Sequence, residues 1–538
     1  MRRLPIPHVT PPENRPDSHN GSKSYAFLVG SGIFLSRVAG LIRERVFAHY
    51  FGSFAAADAF KAAFRIPNFL QNMFGEGVLS ASFIPVYAKL LAQKDEEEAH
   101  KTAGAVAALL ALTTSLIVLV GVLATPYIID IVAGGFKGET RELTIRLVQI
   151  LFPSAGLLVL SAWCLGVLNS HHRFFLSYTA PVIWNAAMIA TMWGWGGRYA
   201  QFPLARILAW GSVVGSGLQV LVQLPVVLRL LHGLRLSLNY KAENVKIVVR
   251  NFLPVFAGRG VVQISAYVDV LLASWLPTGA VAALSYAQTL YLLPVSLFGM
   301  SVSAAELPLM SGALGDQDEV AGALRQRLDS GLRYIAMLVV PSIVAFLILG
   351  DVIVAAIYQT GAFKGGDTTY VWGILAGATV GLLASTLGRL YSSTYYALRD
   401  TRTPLRYAVV RVILTTGLGL LCAFPVPHWL GIGSRWGAAG LTISAGVSSW
   451  VEFFLLRRTM NQRIGRSGLQ FAYQAKLWAS ALLAGAAGFA IHTHFTHHSH
   501  VIAAIVVLGT YGVLYFAGAT ALGVEEVKTV LRRVAARF

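Results

Sequence analysis

Charge is scarce in this sequence. Only 13% of its 538 residues are Asp, Glu, Lys or Arg, 55% are hydrophobic, and mean hydropathy is +0.62, a balance that ordinary soluble domains do not reach. Cysteine is limited to Cys164 and Cys422, both inside apolar runs. Neither belongs to a metal-ligand spacing or a disulfide framework, so both read as packing residues, and no metal or cofactor is expected. No paired-acid motif of the DDxxD kind is present, which argues against a membrane transferase that neutralises diphosphate with divalent metal. The N-terminal segment MRRLPIPHVTPPENRPDSHNGSK has neither the apolar core nor the small-residue site of a cleavable signal, and the first span is expected to insert uncleaved.

What is abundant is apolar sequence in long runs. From Tyr25 to Leu522 about 14 runs approach or exceed roughly 20 residues, enough to cross a hydrocarbon core of about 30 Å. The expected fold class is therefore an all-α polytopic membrane protein. A net charge of +18 would fit nucleic acid, but its distribution points elsewhere. Alternate loops collect Lys94, Lys101, Arg173, Arg235, Lys241, Arg250, Arg325, Arg399, Arg457 and Arg532 on one side and leave scattered cations such as Lys137, Arg141, Lys364 and Arg435 on the other. That asymmetry places the first set, with both termini, in the cytoplasm and excludes a nucleic-acid partner.

Polar interruptions divide the chain into a tail (1–24), an N-lobe of six spans (25–235), a C-lobe of six spans (236–462), a pair of terminal helices (463–523) and a basic amphipathic tail (524–538). FGEGVLSASFIP, ending at Pro85, echoes LFGMSVSAAELP, ending at Pro308, as an internal duplication would. Trp184, Trp193, Trp195, Trp372, Trp429 and Trp436 fall near span ends and read as interfacial anchors. His492, His494, His497, His498 and His500 read as an exposed periplasmic loop, since no acidic or Cys residue completes a tight metal site.

The most informative stretch is Ser36 to Lys89, where Arg37, Arg43, Glu44, Arg45, Asp58, Lys61, Arg65 and Glu76 punctuate bilayer-compatible sequence. Each charge costs roughly 3 kcal/mol at the hydrocarbon midplane, so several must share a wet, protein-lined interior. Gly40, Pro67, Gly75 and Gly77 mark where the first two spans should bend. Pro67 removes an amide hydrogen, and the two glycines flank Glu76.

The segment SRVAGLIRERVFAHYFGSFAAADAFKAAFRIPNFLQNMFGEGVLSASFIPVYAKL resembles the N-terminal signature of the MurJ/MviN lipid II flippases, in the multidrug/oligosaccharidyl-lipid/polysaccharide exporter superfamily. GVLNSHHRFF, APVIWN, QISAYVDVLLAS and YYALRDTRTP carry the likeness onward. The resemblance implies two six-helix lobes around a central cavity, plus two terminal helices that form a groove for a polyprenyl tail. It implies a transporter rather than an enzyme, in the bacterial cytoplasmic membrane, moving lipid-linked peptidoglycan precursor to the periplasmic leaflet by alternating access. Lipid II, membrane lipids and cell-wall synthesis proteins are the partners it implies. The family's cavity arginines map onto Arg37 and Arg43, and its acidic positions onto Asp58 and Glu76. Gln71, Asn72, Gln288 and Thr289 are neutral where family members commonly carry basic residues. A divergent paralogue with another polyprenyl-linked cargo, and an ion-coupled exporter of small molecules, stand as alternatives.

Guanidinium suits a diphosphate because it stays charged and donates two parallel hydrogen bonds. Arg37 and Arg43 are thus candidate substrate-binding residues, with an internal ion pair to Glu44 or Asp58 as the competing role. Arg259, between Gly258 and Gly260, either adds cavity charge or snorkels to the cytoplasmic end. Asp58 and Glu76 are candidates for gating or ion coupling, or for permanent salt bridges. Asp269 reads as a counter-ion, a coupling-ion ligand or a structural hydrogen-bonding group. Membrane potential, protons and sodium remain open as the energy source.

Overall fold

A computed structural model describes the backbone of residues 19–233, 236–312, 317–494 and 499–535, and the side chains of these except 19–30, 76, 255, 257–266, 317, 531 and 533–535. Every regular element among the described residues is helical, and the protein is an all-α polytopic membrane fold. Two compact units meet in the chain at Ala282 and Ala283. The first contains α1 (His19–Phe51), α2 (Ala55–Phe74), α3 (Glu76–Ser82), α4 (Ile84–Ala92), α5 (Glu96–Val132), α6 (Gly138–Ser170), α7 (Phe174–Trp195), α8 (Gln201–Leu230), α9 (Glu243–Ser274) and the opening turn of α10 (Ala280–Pro294). The second contains the rest of α10, a π-helical turn (Val295–Met300), α11 (Ser301–Ser311), α12 (Gln317–Ile348), α13 (Gly350–Tyr358), α14 (Gly365–Ala397), α15 (Arg402–Ala423), α16 (Pro425–Trp429), α17 (Gly437–Ile464), α18 (Phe471–His494), α19 (His500–Ala521) and α20 (Glu525–Ala535). The sequence drew its lobe boundary at 235/236, whereas the compact division falls after α9, which packs on α2, α3, α4 and α5.

Among the described residues, eleven helical segments are long and apolar enough to cross a membrane, against about 14 apolar runs in the sequence. The other three segments are α1, the α2–α4 series and α9, and these carry the charges of Ser36–Lys89 together with Lys246, Arg250, Arg259 and Asp269.

The second segment is broken. Helix α2 runs through Pro67 and stops at Gly75, whose ψ of −159° is extended. A Cβ there would collide with the Gln71 carbonyl oxygen. Gly40 lies inside α1 and Gly77 inside α3. The eighth segment is also irregular, because α10 passes into the π-helical turn before α11. Both echo segments therefore interrupt regular α-helix shortly before their shared proline, Pro85 or Pro308. Such interruptions are tolerated at membrane depth only where backbone faces protein or water.

In the first unit α6 is the core, packed by α2, α5, α7 and α8, with Trp163 and Cys164 fully buried. Helix α5 turns Leu112, Leu116, Leu119, Leu123, Tyr127 and Ile131 outward, a helical-period apolar stripe of the kind lipid covers. In the second unit α14 packs against α12 and α17. Gly381 lets the backbones touch: a Cβ on it would sit 2.5 Å from the Gly446 Cα, the close approach that small residues permit in membranes.

The terminal helices dock on α12 through tyrosine hydroxyls. Pro341 has no amide hydrogen, so the Met337 carbonyl loses its helical donor, and the Tyr515 hydroxyl donates to it at 2.6 Å. Tyr511 donates to the Pro341 carbonyl at 2.7 Å. The start of α20 packs inward: Val527 is buried, as is Val524 just before the helix, and Glu526 lies 3.5 Å from Arg333 of α12.

Candidate functional site

Helical spacing puts Asp58, Lys61 and Arg65 on one face of α2, since i, i+3 and i+7 positions align. Each finds a different partner. The Lys61 ammonium donates to Glu44 of α1, and the same carboxylate accepts from Arg43 at 2.8 Å. Glu44 is thus held between two cations, and the group of three keeps one net positive charge. All three are largely shielded, with side-chain exposures of 15% for Arg43 and 10% for Glu44 and Lys61.

Aromatic faces complete the enclosure. The Lys61 ammonium lies 4.3 Å from the Phe47 ring centroid. The Arg43 guanidinium lies 5.5 Å from Phe64 and 5.2 Å from Trp184, and those two rings stack at 5.6 Å. Cation–π attraction of this kind strengthens as water is excluded. Trp184, expected at the membrane interface, instead lines this cluster and donates to Ser212 Oγ at 3.1 Å. It lies midway along α7, not near a span end.

Asp58 has no arginine partner among the described residues. Its two carboxylate oxygens accept from the backbone amides of Gly279 at 2.5 Å and Ala282 at 2.7 Å, the arrangement that stabilises a helix N-terminus. Gly279 makes this turn feasible. Its φ is +95°, and a Cβ would strike the Ser53 carbonyl oxygen, so only glycine fits.

Arg65 lies within electrostatic reach of Asp269 on α9, and the Tyr267 hydroxyl donates to the Arg65 carbonyl at 3.0 Å. Asp269 is accordingly placed as a counter-charge to α2. Arg37 is exposed on α1 and makes no ion pair among the described residues. The side chains of Arg259 and Glu76 lie outside the described residues. The reading from sequence named Lys61 and Arg65 as embedded charges but gave them no role; their i, i+3, i+7 register with Asp58 was the available signal.

Two echoes outside the spans have clear structural work. Asp400, of YYALRDTRTP, accepts from the amides of Arg402 and Thr403 at 3.0 Å each, from the Thr403 hydroxyl at 2.7 Å and from Arg463 at 2.7 Å. Burial alone would raise its pKa, but the hydrogen bonds from Thr403 and Arg463 outweigh that and hold the carboxyl below its usual range. His171, of GVLNSHHRFF, hydrogen-bonds Tyr87 at 2.9 Å, and burial with nearby His100 keeps its imidazole below the ordinary value. Of the histidines near α18 and α19, His492 lies 3.3 Å from Asp351, and His497 and His498 are outside the described residues.

The cluster on α1 and α2 thus combines one net positive charge, aromatic walls and a carboxylate that bridges its two cations. Comparison with known proteins agrees with the fold and the sequence signature. The family model described as "Lipid II flippase MurJ" matches residues 47–511. The chain is 32% identical to "Probable lipid II flippase MurJ" of Rhizobium tropici over 445 residues, 81% of this chain and 80% of that protein. It is also 32% identical to "Lipid II flippase MurJ" of Burkholderia cenocepacia, covering 81% of this chain and 84% of the relative. Among solved structures, one described as "Lipid II flippase MurJ, inward closed conformation" matches with a TM-score of 0.75 and 24% identity, over 92% of this chain and 99% of that one. An inward-facing multidrug transporter of the MATE family matches with a TM-score of 0.61 and 17% identity, over 81% and 98%. With a family model spanning most of its length and relatives aligned over four-fifths of theirs, this chain belongs to the MurJ family of membrane transporters.

Proposed function

We propose that the protein flips lipid II, the lipid-linked peptidoglycan precursor, from the cytoplasmic to the periplasmic leaflet by alternating access. The observation that carries this reading is the Arg43–Glu44–Lys61 cluster in a chain whose relatives at 32% identity bear the name lipid II flippase. Net positive charge inside membrane-spanning helices is costly unless an anion meets it, and a diphosphate is the anion that such a cargo carries. Arg43 is the first contact in this scheme, with Arg37 and Arg259 as further headgroup ligands. Asp58, Glu76 and Asp269 couple or gate the transition, driven by membrane potential, protons or sodium. Both termini lie in the cytoplasm, the polyprenyl tail lies along the terminal helices, and cell-wall synthesis proteins are the expected neighbours in the membrane.

The test is complementation of a conditional flippase-deficient strain with the wild-type chain and with Arg43→Ala and Arg37→Ala. Rescue by wild type and failure of Arg43→Ala at equal expression is the expected result. Full rescue by both variants would remove these arginines from the mechanism. Neutral Gln71, Asn72, Gln288 and Thr289 favour a second reading, a paralogue with another polyprenyl-linked saccharide; an expressed wild-type chain that fails to rescue points there.

A further inference from the structure

A second set of intramembrane charges lies wholly within residues 283–538. Arg389 is on α14, Arg411 on α15 and Glu452 on α17. At 1.5 Å per residue, Arg389 stands about 12 Å from the end of its helix at Ala397, and Arg411 about 14 Å from the start of its own. The Arg411 Nε lies 3.2 Å from Glu452 Oε2, with side-chain exposures of 29% and 17%. Arg389 has no ion pair or side-chain hydrogen bond among the described residues, and it is exposed. Protein nevertheless crowds it: Arg411, Glu452, Tyr291 and Tyr396 are all within its electrostatic reach. Its side chain is therefore accessible while its neighbours are polar and charged.

Hydroxyl groups line the same place. Ser385 precedes Arg389 by one helical turn and so shares its face, and its Oγ lies 2.8 Å from the Tyr291 hydroxyl. Two guanidiniums face one carboxylate here, so one positive charge is uncompensated, and the two arginines repel each other. Glu452 fixes Arg411 and leaves Arg389 free. The planar fork of arginine is suited to an oxyanion with two or more oxygens.

We propose that Arg389 and Arg411, with the hydroxyls of Tyr291 and Ser385, form an anion-binding site for a phosphate group, and that Glu452 is its positioning residue. Given the lipid-flipping role set out above, on which this assignment of the ligand rests, the phosphate is that of the polyprenyl diphosphate cargo. An anionic phospholipid headgroup offers the same chemistry from another source.

The test uses the full chain, purified and placed in phosphatidylcholine nanodiscs, with undecaprenyl diphosphate and phosphatidylglycerol as separate probes. Binding is measured for wild type, Arg389→Gln, Arg389→Lys and Arg43→Gln, with thermal unfolding of each. Loss of one charge-assisted contact predicts about tenfold weaker diphosphate binding for Arg389→Gln, partial recovery for Arg389→Lys and an unchanged melting temperature. Unaltered diphosphate binding by a stably folded Arg389→Gln overturns the cargo assignment. If that variant loses only phosphatidylglycerol, the site stands and its ligand is a phospholipid. If Arg43→Gln alone weakens the diphosphate, the transport reading survives and this inference fails. If Arg389→Gln weakens it in a chain that cannot rescue the flippase-deficient strain, the site stands and the lipid II reading fails.

Discussion

Each of the two units holds a trio of two cations and one carboxylate, and they arrange it in opposite ways. In the first, Glu44 is shared by Arg43 and Lys61 and the group is closed by Phe47, Phe64 and Trp184. In the second, Glu452 is committed to Arg411 alone, and Arg389 is left exposed. The net charge is the same. What differs is how much of it is already spent on internal pairing, and so how readily each group can accept a ligand without first breaking something. A closed cluster must open to bind, which suits a step coupled to conformational change; an open one can bind at once.

That contrast can be broken by mutation. The largest effect is expected from Glu44→Gln, which strands two shielded cations: removing one partner from a buried pair costs about 3–5 kcal/mol, read as a large fall in the thermal unfolding midpoint. A melting temperature within a degree or two of wild type would mean that the cluster is not load-sharing in the folded state. Next comes Gly279→Ala, which forces a side chain into a left-handed turn against Ser53 and displaces the amides that hold Asp58; such strain costs about 1–3 kcal/mol. Rescue of that loss by a second change, Ser53→Gly, is not expected, because the obstruction is backbone carbonyl. Glu452→Gln should cost about 1 kcal/mol or less, since Arg411 is partly accessible and can be solvated. If it destabilises as much as Glu44→Gln, the second trio is as closed as the first.

The smallest effect concerns pH. Because the folded Asp400 carboxyl titrates below its usual range, its contribution to stability is complete above the unfolded value, about 3.9, and disappears as pH falls through the folded one. The gap in melting temperature between wild type and Asp400→Asn should therefore be constant from neutral pH down to about 5 and close only at lower pH. A gap that closes between pH 7 and 6 would contradict this sign.

Several features were legible in the residues alone. The apolar runs fixed the class of fold, and the charged stretch from Ser36 to Lys89 located the first trio to within a helix pair. The glycine at 75 marked the place where the second segment breaks. Other features were not legible. From sequence Asp58 is a candidate for gating, ion coupling or a salt bridge, and nothing there points to its donors in the fold, backbone amides 221 and 224 positions away. Trp184 was read as an interfacial anchor, yet it faces Arg43. The second trio is not legible because its members lie on three helices far apart in the chain, and no spacing within any one of them pairs Arg411 with Glu452.

The sequence by itself determined that this chain lives in a membrane, because hydropathy is summed locally and a run of apolar residues needs no partner to be recognised. It determined, too, that some charge must be sheltered there. Which charges meet was decided only when Glu44 of α1 met Lys61 of α2 and when α14, α15 and α17 packed together. Helical periodicity fixes the face on which a residue lies; the neighbour that face meets depends on contacts between segments far apart in the chain.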